Sequence, residues 1–294
     1  MIFVIVGPTG VGKSSLALEY AKKHDAYIVN GDAFQCYKEM NIGTAKPSLE
    51  ERSTLPHYLF DIATVDIPYT IFEYQRDLRN TLDTLLKSGK DIIIVGGSGL
   101  YLKSALYDFT LNEQKVSIDM SKYDSFTNEE LYEELKRYDE PASKDIHPNN
   151  RKRVLRAIEI YLESGKRKSD IIAEQEHKLL YDVKFVGLSR ESRDELYSLI
   201  DKRVLKMFED GLMDEVKLLI EKHDSSLRAF QAIGYKEIIE GLKNNETLDN
   251  IISLIQKNTR NYAKRQYTYF RNQLPVNWFN SKQEAYNFME ENGG

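Results

Sequence analysis

The chain has 294 residues, 41% of them hydrophobic and 30% charged, with a net charge of −5. That balance suits a soluble globular protein with a packed core, and no apolar run exceeds strand length, so no membrane span is expected. Cys36 is the single cysteine and there is no Cys/His cluster of metal-binding spacing, which excludes an internal disulfide and points to a reducing cytoplasm.

Ile2-Phe3-Val4-Ile5-Val6 is a continuous apolar run, the pattern of a parallel strand buried on both faces. The chain opens directly on this strand, so no leader peptide is expected. Gly7-Pro8-Thr9-Gly10-Val11-Gly12-Lys13-Ser14 follows and matches G-x-x-x-x-G-K-[ST], between that strand and a predicted helix from Lys13 to Lys23. In this context the glycines let successive amides converge on phosphate oxygens, and the helix N-terminus adds partial positive charge. Lys13 then neutralises a terminal phosphate and Ser14 can ligate Mg²⁺. Tyr27-Ile28-Val29 is a second predicted strand, ending at Asn30-Gly31-Asp32. Ligands of open α/β sheets bind beyond the carboxyl ends of the strands. If the first two strands are near one another, Asp32 faces the phosphate crevice, where it could hold Mg²⁺ or act as a general base; a helix N-cap is an equal alternative.

A predicted helix from Phe72 to Ser88 precedes the strand Ile92–Val95, which runs into Gly96-Gly97-Ser98-Gly99. ATP-hydrolysing enzymes usually carry an Asp at the end of such a strand; its absence weighs against a kinase or ATPase. From about Thr110 to Asp182 the chain is polar and mostly helical. It is expected to form a small helical insertion domain (110–182) within a core made of 1–109 and 183–294. Val183–Leu188 is a further strand, and the chain then looks helical through Gln273. Alternating strands and helices predict an α/β fold, a P-loop NTPase-like core whose parallel sheet is flanked by helices.

The acidic total hides two basic segments. Lys144 to Lys168 carries eight basic residues against three acidic, and Lys257 to Arg271 carries five against none. In the C-terminal helix Lys257, Arg260, Lys264 and Arg271 share one face, opposite Ile252, Ile255, Tyr262, Ala263, Gln266 and Phe270. In the helix from Asn149, Val154, Leu155, Ile158 and Leu162 form the apolar face and Arg151–Arg153 stand near the start, where cations oppose the helix dipole unless an anion is close. Both stripes suit nucleic-acid phosphates, with a solvated face as the plainer alternative. His57 and His147 read as structural, and Cys36 as a packed small residue.

Eight segments in order then carry a resemblance. They are Asp32–Tyr37, Met40-Asn41-Ile42-Gly43-Thr44-Ala45-Lys46-Pro47, Leu55–Leu59, Gly96–Tyr101, Ile146–Asn150, Val154–Glu159, Ala232-Ile233-Gly234-Tyr235-Lys236-Glu237 and Thr259–Gln266. Over nearly its whole length the chain resembles the tRNA dimethylallyltransferases. The resemblance implies transfer of a dimethylallyl group from its diphosphate to N6 of adenosine 37 in the tRNA anticodon loop. It implies that Gly7–Ser14 hold the donor's diphosphate with Mg²⁺ on Ser14, that Thr9, Lys13 and Arg203 assist, and that Asp32 is the general base. Asp32, Ala33, Phe34 and Gln35 would contact the target adenosine once that base has left its stack, Gln35 through an adenine edge and Phe34 through its aromatic face, with core packing an equal alternative for Phe34. Ser98, Lys152, Arg153, Val154, Leu155, Arg156, Gln231, Gly234, Tyr235, Lys236, Lys264, Arg265 and Arg271 would meet the anticodon stem-loop. A cytoplasmic monomer is expected. The chain departs from the family pattern with Ala33 in place of Ser, with Leu199 in place of Arg, and with a shorter stretch after Tyr107 that lacks a basic helix. The rival readings are an adenylate isopentenyltransferase, a small-molecule kinase and a non-catalytic RNA-binding module.

Overall fold

The computed structural model describes residues 1–111 and 118–293. Six strands form one sheet: β1 (Ile2–Val6), β2 (Tyr27–Asn30), β3 (His57–Tyr58), β4 (Ile92–Val95), β5 (Val183–Leu188) and β6 (Val276–Phe279). Their order is β3-β2-β4-β1-β5-β6, and every pairing is parallel. The helices in chain order are α1 (Lys13–His24), α2 (Leu49–Thr54), α3 (Ile71–Leu85), α4 (Gly99–Leu106), α5 (Asn128–Tyr138), α6 (Glu140–Asp145), α7 (Arg151–Ser164), α8 (Lys168–Ala173), α9 (Arg193–Glu209), α10 (Leu212–Lys222), α11 (Tyr235–Lys243), α12 (Leu248–Gln273) and α13 (Lys282–Asn292). Among the described residues no helix is long and apolar enough to cross a membrane.

The chain divides into two compact units, Met1–Leu106 with Tyr181–Gly294, and Tyr107–Leu180. The first holds the sheet. β1 and β4 are buried at every position, as strands covered on both faces must be. Phe3, Ile5, Leu16, Tyr20, Ile28, Ile93, Val186, Leu188 and Met289 form its core. Side chains cap the starts of several helices. Thr70 and Glu73 form a reciprocal capping box on α3, and Thr247 accepts the Asn250 amide ahead of α12.

β1 and β2 are not neighbours, contrary to the simplest arrangement of the first two strands. β4 lies between them, with Ile92 in register with both Ile2 and Tyr27. The placement of Asp32 beside the glycine loop survives because β4 ends in two glycines. Gly31 N–H donates to Val95 O at 2.8 Å and Gly96 N–H to Ile5 O at 3.2 Å, so the three strand ends are stitched together.

The second unit, Tyr107–Leu180, runs a few residues N-terminal to the 110–182 span expected from composition. Its ends are paired: Tyr107 bridges Leu179 in antiparallel fashion, and Asp108 N–H donates to Lys178 O at 3.0 Å. Residues 112–117 of the expected insertion lie outside the described residues. Tyr123, Leu131, Leu135, Val154, Ala157 and Ile158 form its own core. Full burial of each Leu, Val or Ile contributes about 1.5–3 kcal/mol. The buried Asp139 caps α6 through the Ala142 amide and accepts from the Ser169 amide and hydroxyl at 3.0 and 2.6 Å.

Candidate active site

The glycine loop sits between β1 and α1 as its motif requires. Gly7, Gly10 and Gly12 have φ of 137°, 86° and 95°, values at which a side chain is strained. Lys13 crosses the loop, and its Nζ donates to Gly7 O at 3.0 Å and Pro8 O at 2.8 Å. Burial, and the Arg203 guanidinium nearby, depress its pKa to about 7, against a smaller opposing pull from Asp32. Burial also holds Arg203 below the usual guanidinium range. Three ionisable groups therefore share one poorly solvated space.

That space is a cavity of about 520 Å³ lined by Gly10, Gly12, Lys13, Ser14, Asp32 and Arg203, among others. Asp32 Oδ1 accepts the Phe34 amide at 2.9 Å, while the Asp32 amide donates to Asn30 Oδ1 at 2.8 Å. Burial raises the Asp32 pKa; the Phe34 and Gln35 amides, Lys13 and Arg203 oppose that rise. The carboxyl accepts the Phe34 amide in a local turn and lines the cavity; no helix starts between Asp32 and Ser48, so the helix N-cap expected as an alternative does not form. Burial makes a carboxylate a stronger base, and the neighbouring cations favour its ionised form.

Gln266, which the sequence places on the apolar side of α12, links the parts of this site. Its Oε1 accepts the Thr9 amide at 3.0 Å and its Nε2 donates to Gly97 O at 3.0 Å. A Cβ on Gly97 would lie 2.1 Å from that Nε2, so a larger residue just beyond β4 would displace the Gln266 amide. A buried amide within an apolar stripe needs partners, and that was the available sequence signal. The Thr9 amide is thereby held by Gln266 and not turned toward a phosphate.

A second cavity of about 370 Å³ adjoins the first through Phe34, Gly97, Tyr262, Arg265 and Gln266. Its remaining lining includes Tyr37, Tyr69, Ser98, Tyr101, Tyr269 and Arg228. Phe34 lines both cavities and is part-exposed, so its ring is available for stacking as well as packing. Ser98 Oγ accepts the Ala33 amide at 2.9 Å. Arg228, isolated in sequence from other cations, had no pattern to single it out.

Gln35 donates both Nε2 hydrogens to backbone, to Thr44 O at 3.0 Å and Ala45 O at 3.2 Å. Gln35 lines the first cavity, and Oε1 is the polar atom of its amide left as an acceptor. Gln231 and Gly234 also line that cavity. Lys236 is exposed and lies 3.7 Å from Glu240.

Several expected contacts need correction. Tyr235 is fully buried with its hydroxyl on Glu215, and Val154 is fully buried in the core of the second unit. Neither side chain has surface to offer RNA, and Leu155 packs against the same core. Arg151 donates to the carbonyls of Phe126, Tyr123 and Asp124, so its place at the start of α7 is explained by local capping and not by an external anion. Arg156 pairs with Glu159 and Glu163 at 2.6 and 3.6 Å. Lys152 and Arg153 remain exposed. On α12, Arg260 is taken by Asp201 of α9 at 2.6 Å. Lys264, Arg265 and Arg271 are exposed, the last two stacked on Tyr262 and Tyr267.

Residues 35–273 match the model of a family described as IPP transferase. A tRNA dimethylallyltransferase of Staphylococcus haemolyticus is 40% identical over 98% of this chain and 89% of its own length. One from Anoxybacillus flavithermus is 41% identical over 95% and 89%. Among solved structures, a tRNA isopentenylpyrophosphate transferase of Staphylococcus epidermidis superposes with a TM-score of 0.73 at 38% identity, covering 99% of this chain and 97% of the other. A eukaryotic dimethylallyltransferase acting on tRNA gives 0.83 at 28% identity, over 100% and 80%.

Proposed function

The chain belongs to the IPP transferase family, and we propose that it moves a dimethylallyl group from dimethylallyl diphosphate to N6 of adenosine 37 in the anticodon loop of tRNA. The observation that carries this reading is the meeting of Asp32, Lys13 and Arg203 in one cavity at the carboxyl end of the sheet. The lone pair of an adenine amine is delocalised into the ring, so the amine attacks only as its proton leaves. Asp32 accepts that proton while N6 bonds to the allylic carbon. The carbon–oxygen bond to diphosphate breaks, and the leaving oxygens gather charge that Lys13, Arg203 and the loop amides stabilise. Gln35 Oε1 and Asp32 are both acceptors, a pair that suits an amine and not a carbonyl at the adenine edge.

A magnesium ion fits the exposed Ser14 hydroxyl in the cavity wall. The described residues include no cluster of three His, Cys, Asp or Glu, so diphosphate oxygens and water would complete its shell, as Mg²⁺ tolerates. Bound there it would neutralise diphosphate charge. Release of inorganic diphosphate, which is highly charged, then ends the cycle.

The aromatic cavity with Arg228 and Arg265 at its wall favours a polynucleotide over a free nucleotide, since stacked bases and flanking phosphates need such surfaces. Radiolabelled dimethylallyl diphosphate mixed with unmodified tRNA, with AMP or with no acceptor decides the matter. Label is expected in tRNA alone. Label in AMP alone would assign the chain to the nucleotide enzymes, and label in neither would sink the transferase reading.

A further inference from the structure

The segment Met40–Pro47 and the segment Ala232–Glu237 stand out in the sequence, and the chemistry above gives neither a role. They meet at one carboxylate. Glu215, on α10, accepts from three consecutive backbone amides: Asn41 at 3.1 Å, Ile42 at 2.9 and 3.1 Å, and Gly43 at 3.3 Å. It also accepts the hydroxyl of the buried Tyr235 at 2.5 Å. Successive N–H groups turned to one point form the concavity that usually holds an anion; here the anion is the protein's own side chain. Gly43 lies so close to the Tyr235 ring that a Cβ would fall 2.4 Å from it, so the loop cannot shift without losing that packing.

The consequence appears at the next two residues. The carbonyls of Thr44 and Ala45 hold both Nε2 hydrogens of Gln35. Ala45 has a φ of 47°, a left-handed backbone that a non-glycine residue keeps only when its surroundings fix it. Gln35, Gly43, Thr44 and Ala45 line the same cavity as Asp32.

We infer that Glu215 is a positioning residue for acceptor recognition: by clamping the 41–43 amides it sets the Thr44 and Ala45 carbonyls, which orient Gln35 so that its oxygen faces the acceptor amine beside Asp32. This rests on the transferase reading, and the test separates the two. Glu215→Gln places an N–H donor against amide donors and breaks the clamp. Hydrogen exchange at 41–43 should accelerate, and KM for the RNA acceptor should rise by ~10-fold or more, while affinity for inorganic diphosphate stays within about twofold. In a Gln35→Ala background the same substitution should add little to KM, because the route through Gln35 is already cut. Additive effects, or a parallel loss of diphosphate affinity, would show that Glu215 supports the scaffold and nothing more specific. A wild-type enzyme that prenylates no RNA would fail the transferase reading. The clamp would then stand or fall on amide exchange alone, and unchanged exchange in Glu215→Gln would overturn it.

Discussion

Asp32 is a carboxylate pulled in opposite directions, toward protonation by burial and toward ionisation by Lys13, Arg203 and two amides. Removing it takes away proton transfer and leaves the surfaces that hold RNA. Asp32→Ala should therefore lower kcat by about 10²-fold or more, with RNA affinity changed by no more than a few-fold. Near-normal turnover would reject it as the base. Lys13 makes a second, signed prediction. Its pKa of about 7 means that much of it is neutral above neutrality, and a bound diphosphate favours the charged form. Binding must then take up a proton above pH 7, and affinity must fall as pH rises, by up to tenfold per unit. Below pH 7 the residue is already charged and the uptake disappears. Calorimetry at pH 6 and pH 8 in buffers of different ionisation enthalpy reads the proton count. Lys13→Arg carries the same ligand protons but has no titrating amine, so the difference between the two proteins is the quantity to compare. Equal counts at pH 8 would sink the assignment. The placement of both residues was legible because it rests on neighbours in sequence, a strand end and a loop motif. Gln266 showed only as a polar residue in an apolar stripe, with nothing to name its partner, and Glu215 did not show at all, because Thr9 and Ile42 are 257 and 173 positions away.

At the scale of elements, the basic stripe of α12 is narrower than its sequence suggests. Arg260 faces Asp201 on α9, which the acid-free run from Lys257 to Arg271 could not reveal because the acid comes from another helix. Lys264 and Arg265 are exposed on the first unit, and Arg265 also lines the aromatic cavity. Replacing both by Gln should weaken RNA binding and flatten the slope of log K against log salt by about one for each phosphate contact removed. Arg260→Gln is the contrast: its charge is already paired, so it should leave the slope unchanged. A double variant with an unaltered slope would remove α12 from the RNA face. The strands show the same limit. β1 and β4 were legible as unbroken apolar runs. β3 is two residues long, and β6 is an edge strand exposed at Asn277 and only part-buried elsewhere, so neither carries the apolar signature. β6 is held instead by packing, with Trp278 so close to Gly187 that a Cβ there would lie within 2.7 Å of the indole.

At the scale of the whole molecule, the interruption between β4 and β5 was visible as a polar helical stretch, but its ends were not. They are set by the pairing of Tyr107 with Leu179 and of Asp108 with Lys178, contacts across some seventy residues that no local pattern encodes. Paired residues of an antiparallel bridge lie about 4.5–5.5 Å apart, a gap that two or three residues span. The chain can thus be cut from Asp108 to Leu179 and rejoined with a short Gly-Ser linker at little entropic cost. The core built on Phe3, Ile5, Leu16, Val186 and Met289 loses no member by this excision. The shortened protein should unfold cooperatively and bind inorganic diphosphate within about threefold of the parent, since every group lining the first cavity remains. Its affinity for the anticodon stem-loop should fall by about tenfold or more at physiological salt, because Lys152, Arg153 and the part-buried Lys168 leave with the insertion. Burial lowers the pKa of Lys168, and Arg153 and Arg156 lower it further against the opposing pull of Asp139 and Asp145. Unchanged RNA affinity in the shortened protein would mean that the insertion is not an RNA-binding element, and that α12 with the aromatic cavity holds the substrate by itself.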